Sequence, residues 1–110
     1  MGCTEIFGVE RSEHRARMAR DNYGLDAVYS EAASVSVANR IMEATGGRGV
    51  DVCFEVAGGP DTADVASRCC KRGGELVVIG ICTDDHCNLT HTICRRAGLT
   101  VKWCRRMRRK

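Results

Sequence analysis

Glu10 closes a short apolar run, Ile6-Phe7-Gly8-Val9, and Arg11-Ser12-Glu13 and then Arg15 follow it. A carboxylate at such a point can accept two hydrogen bonds from neighbouring hydroxyls, as a ribose offers, and it repels a phosphate on the 2′ oxygen. Arg11 pulls the other way, since its charge suits a phosphate. A second constellation gathers Cys82, His86, Cys87, His91 and Cys94 within one short stretch. Thiolates and imidazoles suit zinc, although this spacing fits no standard finger or ribbon. If His91 and Cys94 share a helix, their i, i+3 separation puts them on one face. The third is the basic tail Arg105-Arg106-Met107-Arg108-Arg109-Lys110, which could meet phosphate backbones or act as a localisation patch. The net charge is only +3, and no RNA-binding aromatic pattern accompanies the tail. A solvated chain end is therefore favoured over nucleic-acid binding.

Strand-like and helix-like segments alternate along the whole chain, which is the α/β signature. The expected order is a strand over 5–9, a helix over 12–23 with Ala16, Ala19 and Tyr23 on one face, and a short strand over 25–29. A helix over 35–45 presents Val37, Ala38, Ile41 and Met42, and Gly46-Gly47-Arg48-Gly49 breaks it. Val50 to Val56 is read as a strand buried on both faces, because apolar residues dominate in it. Asp61 is expected to cap a helix through Lys71 that Gly73-Gly74 ends. A strand over 76–79, a short helix capped by Asn88 and a last strand over 99–103 complete the pattern, with Trp103 in core or edge packing. Ligands of such parallel sheets bind outside the carboxyl ends of the strands. That rule singles out Ala57-Gly58 and Ile79-Gly80-Ile81, where each glycine could equally serve only a tight turn.

At 110 residues, with 44% hydrophobic and 28% charged residues, the chain is at most one domain with a real core. No run of about 18 apolar residues suggests a membrane span. Met1-Gly2-Cys3-Thr4-Glu5 lacks the basic and apolar regions of a signal peptide, and Ile6 stands where a myristoylation pattern wants Ser or Thr. The eight cysteines are even in number, as in a secreted disulfide scaffold, but Cys53, Cys69, Cys70 and Cys104 fall inside apolar elements. Reduced thiols and a soluble, cytoplasmic protein are the better expectation.

Taken in order, Val9-Glu10-Arg11-Ser12-Glu13-His14-Arg15, Thr45-Gly46-Gly47-Arg48-Gly49-Val50-Asp51, Gly73-Gly74 before Leu76 to Gly80, and the ending Leu99 to Met107 form a recognisable set. The chain resembles the coenzyme-binding domain of medium-chain, zinc-type alcohol and polyol dehydrogenases, the family of sorbitol, xylitol and threonine dehydrogenases. The resemblance implies a partial, Rossmann-like doubly wound parallel sheet over residues 1–110, lacking the first strand, first helix and glycine loop. It implies NAD as cofactor, with Glu10 on the adenosine ribose and Arg15 beside it. Ala57, Gly58, Ile79, Gly80 and Ile81 would line the rest of the nucleotide site. The implied reaction interconverts a secondary alcohol or polyol and a ketone. Zinc belongs to the full-length family, but its ligands and the proton relay sit in a catalytic domain outside this sequence, so no residue here is assigned as catalytic or as a metal ligand. The chain alone is expected to be inactive. Expected partners are the dinucleotide and a small alcohol, with no membrane and with room for a homo-oligomer; a zinc module at Cys82 to Cys94 and nucleic-acid binding through the tail stand as alternatives.

Overall fold

A computed structural model describes residues 2–105. Nine elements alternate: β1 (Phe7–Val9), α1 (Glu13–Asn22), β2 (Ala27–Tyr29), α2 (Val35–Ala44), β3 (Val50–Glu55), α3 (Thr62–Cys69), β4 (Cys70–Val78), α4 (His91–Ala97) and β5 (Thr100–Trp103). Every pairing is parallel, in two sheets ordered β1-β2 and β3-β4-β5. The doubly wound order 3-2-1-4-5-6 without its strand 1 leaves these two pieces, so the α/β, Rossmann-like expectation holds.

Local chemistry explains most boundaries. Ser12 accepts the Arg15 amide and Ser34 the Val37 amide, each hydroxyl satisfying one of the donors a helix start leaves open. α2 ends where the Thr45 hydroxyl bonds the Ile41 and Met42 carbonyls and accepts the Gly49 amide. Two clusters form the core. Val37, Ala38 and Ile41 of α2 meet Val65 and Cys69 of α3 over Tyr29 and Val50, so α2 bridges the two sheets. Ala66, Cys70, Leu76 and Val78 form the second, closed by Cys53, Leu89, Leu99 and Val101.

Five expectations need correction. Tyr23 is the cap beyond the end of α1, with backbone angles outside the helix, so it leaves the face of Ala16 and is 72% exposed. β3 is not buried on both faces: Val52 and Phe54 are exposed, because among the described residues only the face of Cys53 and Glu55 is covered. α3 ends at Cys69, and Gly73-Gly74 lie inside β4 instead of stopping the helix. Between the pairs Val50↔Cys70 and Val52↔Glu75, four residues of β4 oppose one of β3, and positive-φ Gly73 lets the excess loop out. Finally, Thr90 rather than Asn88 precedes α4; the Asn88 amide bonds the Pro60 carbonyl, and its side chain donates to Asp61 Oδ1 at 2.6 Å. Asp61 is thereby drawn away from the helix amides it was expected to cap.

Candidate functional site

Glu10 sits where β1 ends, its amide extending the ladder to the Tyr29 carbonyl at 3.0 Å. Oε1 accepts the Ser12 amide at 2.9 Å and Arg15 Nη2 at 2.8 Å, while Oε2 accepts nothing among the described residues. The Arg15 guanidinium first, and then the Ser12 amide, hold the Glu10 carboxyl down at about 2, so it is an anion at neutral pH. Arg15 is more than half exposed and its own pKa is raised by Glu10. The expected neighbours are therefore together, with Arg15 held on the carboxylate and one carboxylate oxygen left over.

The strand-end loops of the second sheet also meet. Gly58 is buried with φ +73°, and a Cβ there would overlap the carbonyl oxygen of Ile81 and lie 2.8 Å from its carbon. A Cβ on Gly80 would overlap the Gly58 amide and approach Glu55 Oε2 to 2.7 Å. Both glycines thus permit backbone to pack on backbone, beyond merely turning the chain. Ala57, Ile79 and Ile81 expose their side chains beside this contact.

Glu55 was missed by the sequence reading. It is 5% exposed, and its Oε1 accepts the Ala57 amide, the Gly58 amide and the Thr62 hydroxyl, each at 2.8 Å. A cleft of about 440 Å³ opens in front of it at the carboxyl ends of β3, β4 and β5, lined by Glu55, Gly58, Gly80, Cys82, Asp84 and Trp103 among others. Trp103, expected in packing, is 63% exposed at this cleft. The available signal was an acid following the apolar stretch Val52-Cys53-Phe54 at the end of the run Val50 to Val56, which already carries Asp51 near its start.

The cysteine and histidine constellation does not assemble. Among the described residues no three His, Cys, Asp or Glu side chains converge as a metal site, so Cys82, His86, Cys87, His91 and Cys94 lie near in sequence without forming a coordination shell. The basic tail, apart from Arg105, lies outside the described residues. None of the eight cysteines is in a disulfide, and burial pushes the Cys69 thiol up to about 12, which makes it a poor nucleophile. No helix among the described residues is long and apolar enough to cross a membrane.

Two parallel sheets in the doubly wound order, with helices between successive strands, define a Rossmann-like class of α/β domain. The family of zinc-binding dehydrogenases matches residues 1–109, and the chain belongs to it. It is similar to an alcohol dehydrogenase of Cupriavidus necator, 34% identical over 84 residues that make 76% of this chain and 22% of that protein. The (R,R)-butanediol dehydrogenase of Bacillus subtilis is 37% identical over 81 residues, 73% of this chain and 22% of that protein. The solved structure of 2R,3R-butanediol dehydrogenase from B. subtilis superposes with a TM-score of 0.77 at 31% identity, over 94% of this chain and 28% of that one. Benzyl alcohol dehydrogenase from Acinetobacter calcoaceticus shares the fold, with a TM-score of 0.82 at 20% identity over 94% of this chain and 28% of that one. The chain thus spans about a fifth of the length of the curated relatives it matches.

Proposed function

We propose that residues 1–110 supply the ribose-reading part of an NAD site in a dehydrogenase that interconverts a secondary alcohol or polyol and a ketone. The observation that carries this reading is Glu10: an ionised acid at the end of a parallel strand, with Oε1 already held and Oε2 available to ribose hydroxyls. NAD, when bound, would supply the hydride acceptor. This chain's residues would only bind and orient it, with Arg15 beside the ribose and Ala57, Gly58, Ile79, Gly80 and Ile81 along the nucleotide. The alcohol and diol dehydrogenases among the relatives support the substrate class. The reading assigns no zinc ligand to this chain, and among the described residues no three His, Cys, Asp or Glu side chains converge as a metal site.

Fluorescence titration of the 110-residue chain with NADH and NADPH tests the proposal. NADH is expected to bind the more tightly, and Glu10→Ala to abolish that preference by removing the charge that repels the 2′-phosphate. Equal affinities in the unsubstituted chain would sink the assignment of Glu10. With sorbitol or xylitol and NAD the chain alone is expected to produce no NADH, and measurable production would show that it carries catalytic groups not recognised above.

A further inference from the structure

Burying a carboxylate is costly unless hydrogen bonds replace its water, and an apolar residue of similar size would pack at position 55 with less expense. Its presence there calls for something a packed core does not need. Three donors converge on one oxygen: the Ala57 and Gly58 amides, which follow β3, and the hydroxyl of Thr62 in the first turn of α3. The Glu55 backbone carbonyl meanwhile accepts the Ile79 amide at 2.8 Å and the Gly80 amide at 3.0 Å, which follow β4. One residue therefore holds the start of both strand-end loops, its carboxylate taking one and its carbonyl the other.

The contact it fixes is narrow. Gly58 is held at φ +73° with its backbone against Ile81, and Gly80 lies against both the Gly58 amide and Glu55 Oε2. Rotation of the 57–59 peptides would break the two amide bonds to Oε1 and drive Gly58 into the neighbouring loop. We propose that Glu55 is a positioning residue, whose carboxylate sets the conformation of the 57–59 loop against the 79–81 loop and so shapes the edge of the cleft where the coenzyme is proposed to lie. The inference rests on the coenzyme reading for its functional consequence, and on the hydrogen bonds alone for the latch itself.

Amide hydrogen exchange of the isotopically labelled 110-residue chain separates the two. In Glu55→Gln the amide oxygen can still accept but without the charge, so exchange at Ala57 and Gly58 is expected to quicken about tenfold while Leu76 and Val77 keep their protection. In Glu55→Leu the acceptor is gone, and protection at Ala57 and Gly58 should be lost altogether. NADH affinity should fall in the same order, with the ratio of NADH to NADPH affinity unchanged, because Glu10 sets that ratio. A residue that only supported the fold would instead loosen Leu76 and Val77 as much as the loop. Unaltered exchange at Ala57 and Gly58 in the Gln variant overturns the latch, and loosened exchange with unaltered NADH affinity overturns its role in shaping the coenzyme cleft. Should the unsubstituted chain fail to bind NADH, the coenzyme reading falls while the exchange rates still decide the latch; should the Leu variant not fold, the Gln variant decides alone.

Discussion

Two glycines with the same backbone conformation make different demands on their surroundings. Gly46 has φ +66° and nothing within 4 Å of where a Cβ would stand, whereas Gly58, at φ +73°, has the Ile81 backbone there. Alanine at either position meets the left-handed penalty of about 1–2 kcal/mol, while only Gly58→Ala adds overpacking of about 1–3 kcal/mol. Urea denaturation should therefore show Gly58→Ala to be the more destabilising by at least about 1 kcal/mol. Equal losses would mean that the loops separate without cost, and would remove the close approach as the reason for glycine. Sequence could name Gly58 and Gly80 as strand-end residues but not choose between turn and contact, because the choice depends on where the other loop lies. Glu10 and Arg15 were legible together because helix α1 follows directly on the strand end and returns Arg15 to the acid. Glu55 was not legible, since its donors at 57, 58 and 62 become a binding set only once the chain has turned at Gly58.

At the scale of elements, the alternation of strand and helix was readable throughout, and the errors cluster where pairing or side-chain competition overrides local propensity. Gly73-Gly74 reads as a helix stop in one dimension; in the sheet the same pair bulges from β4 because β3 offers one residue where β4 has four. Asp61 and Asn88 each have the chemistry of a cap and spend it on each other across 27 residues of sequence. The strand expected over 76–79 is the end of β4, which starts six residues earlier at Cys70 and stops at Val78, and both neighbouring strands pair on it. Leu76 is fully buried, pointing to the helix side of β4 with Val78 and Ala66. Leu76→Ala should cost about 2–5 kcal/mol from lost transfer energy and the cavity left behind. Chemical denaturation monitored at Trp103 would check it, and a loss under about 1 kcal/mol would mean that the second cluster collapses around the gap.

For the whole molecule the decisive feature is the pair of edges, on β1 and on β3, that no strand covers among the described residues. Hydrogen bonds from Asp26 to the Ile6 carbonyl and from Glu10 to the Tyr29 carbonyl turn alternate peptides of β1 toward β2, leaving those of Phe7 and Val9 facing away. On β3 the Glu55 carbonyl serves β4, so the peptide groups of Val52 and Phe54 face its unpaired side. Their side chains are apolar and exposed, Phe54 at 61% and Val56 just beyond it at 67%. Unpaired backbone groups beside an exposed apolar stripe form a template for strand addition. Helix α2 ties the two sheets together through its contacts to Tyr29 and Val50, but it contributes no strand to either edge. The 110-residue chain is therefore expected to self-associate as concentration rises. Phe54→Lys places a charge on that edge at a position already mostly in water, so it should suppress association while shifting the unfolding midpoint little. Sedimentation velocity across a range of concentrations, run on both chains, measures this. A chain that stays monomeric throughout, or a variant that associates as readily as the parent, would show that the β3 edge is not the surface involved.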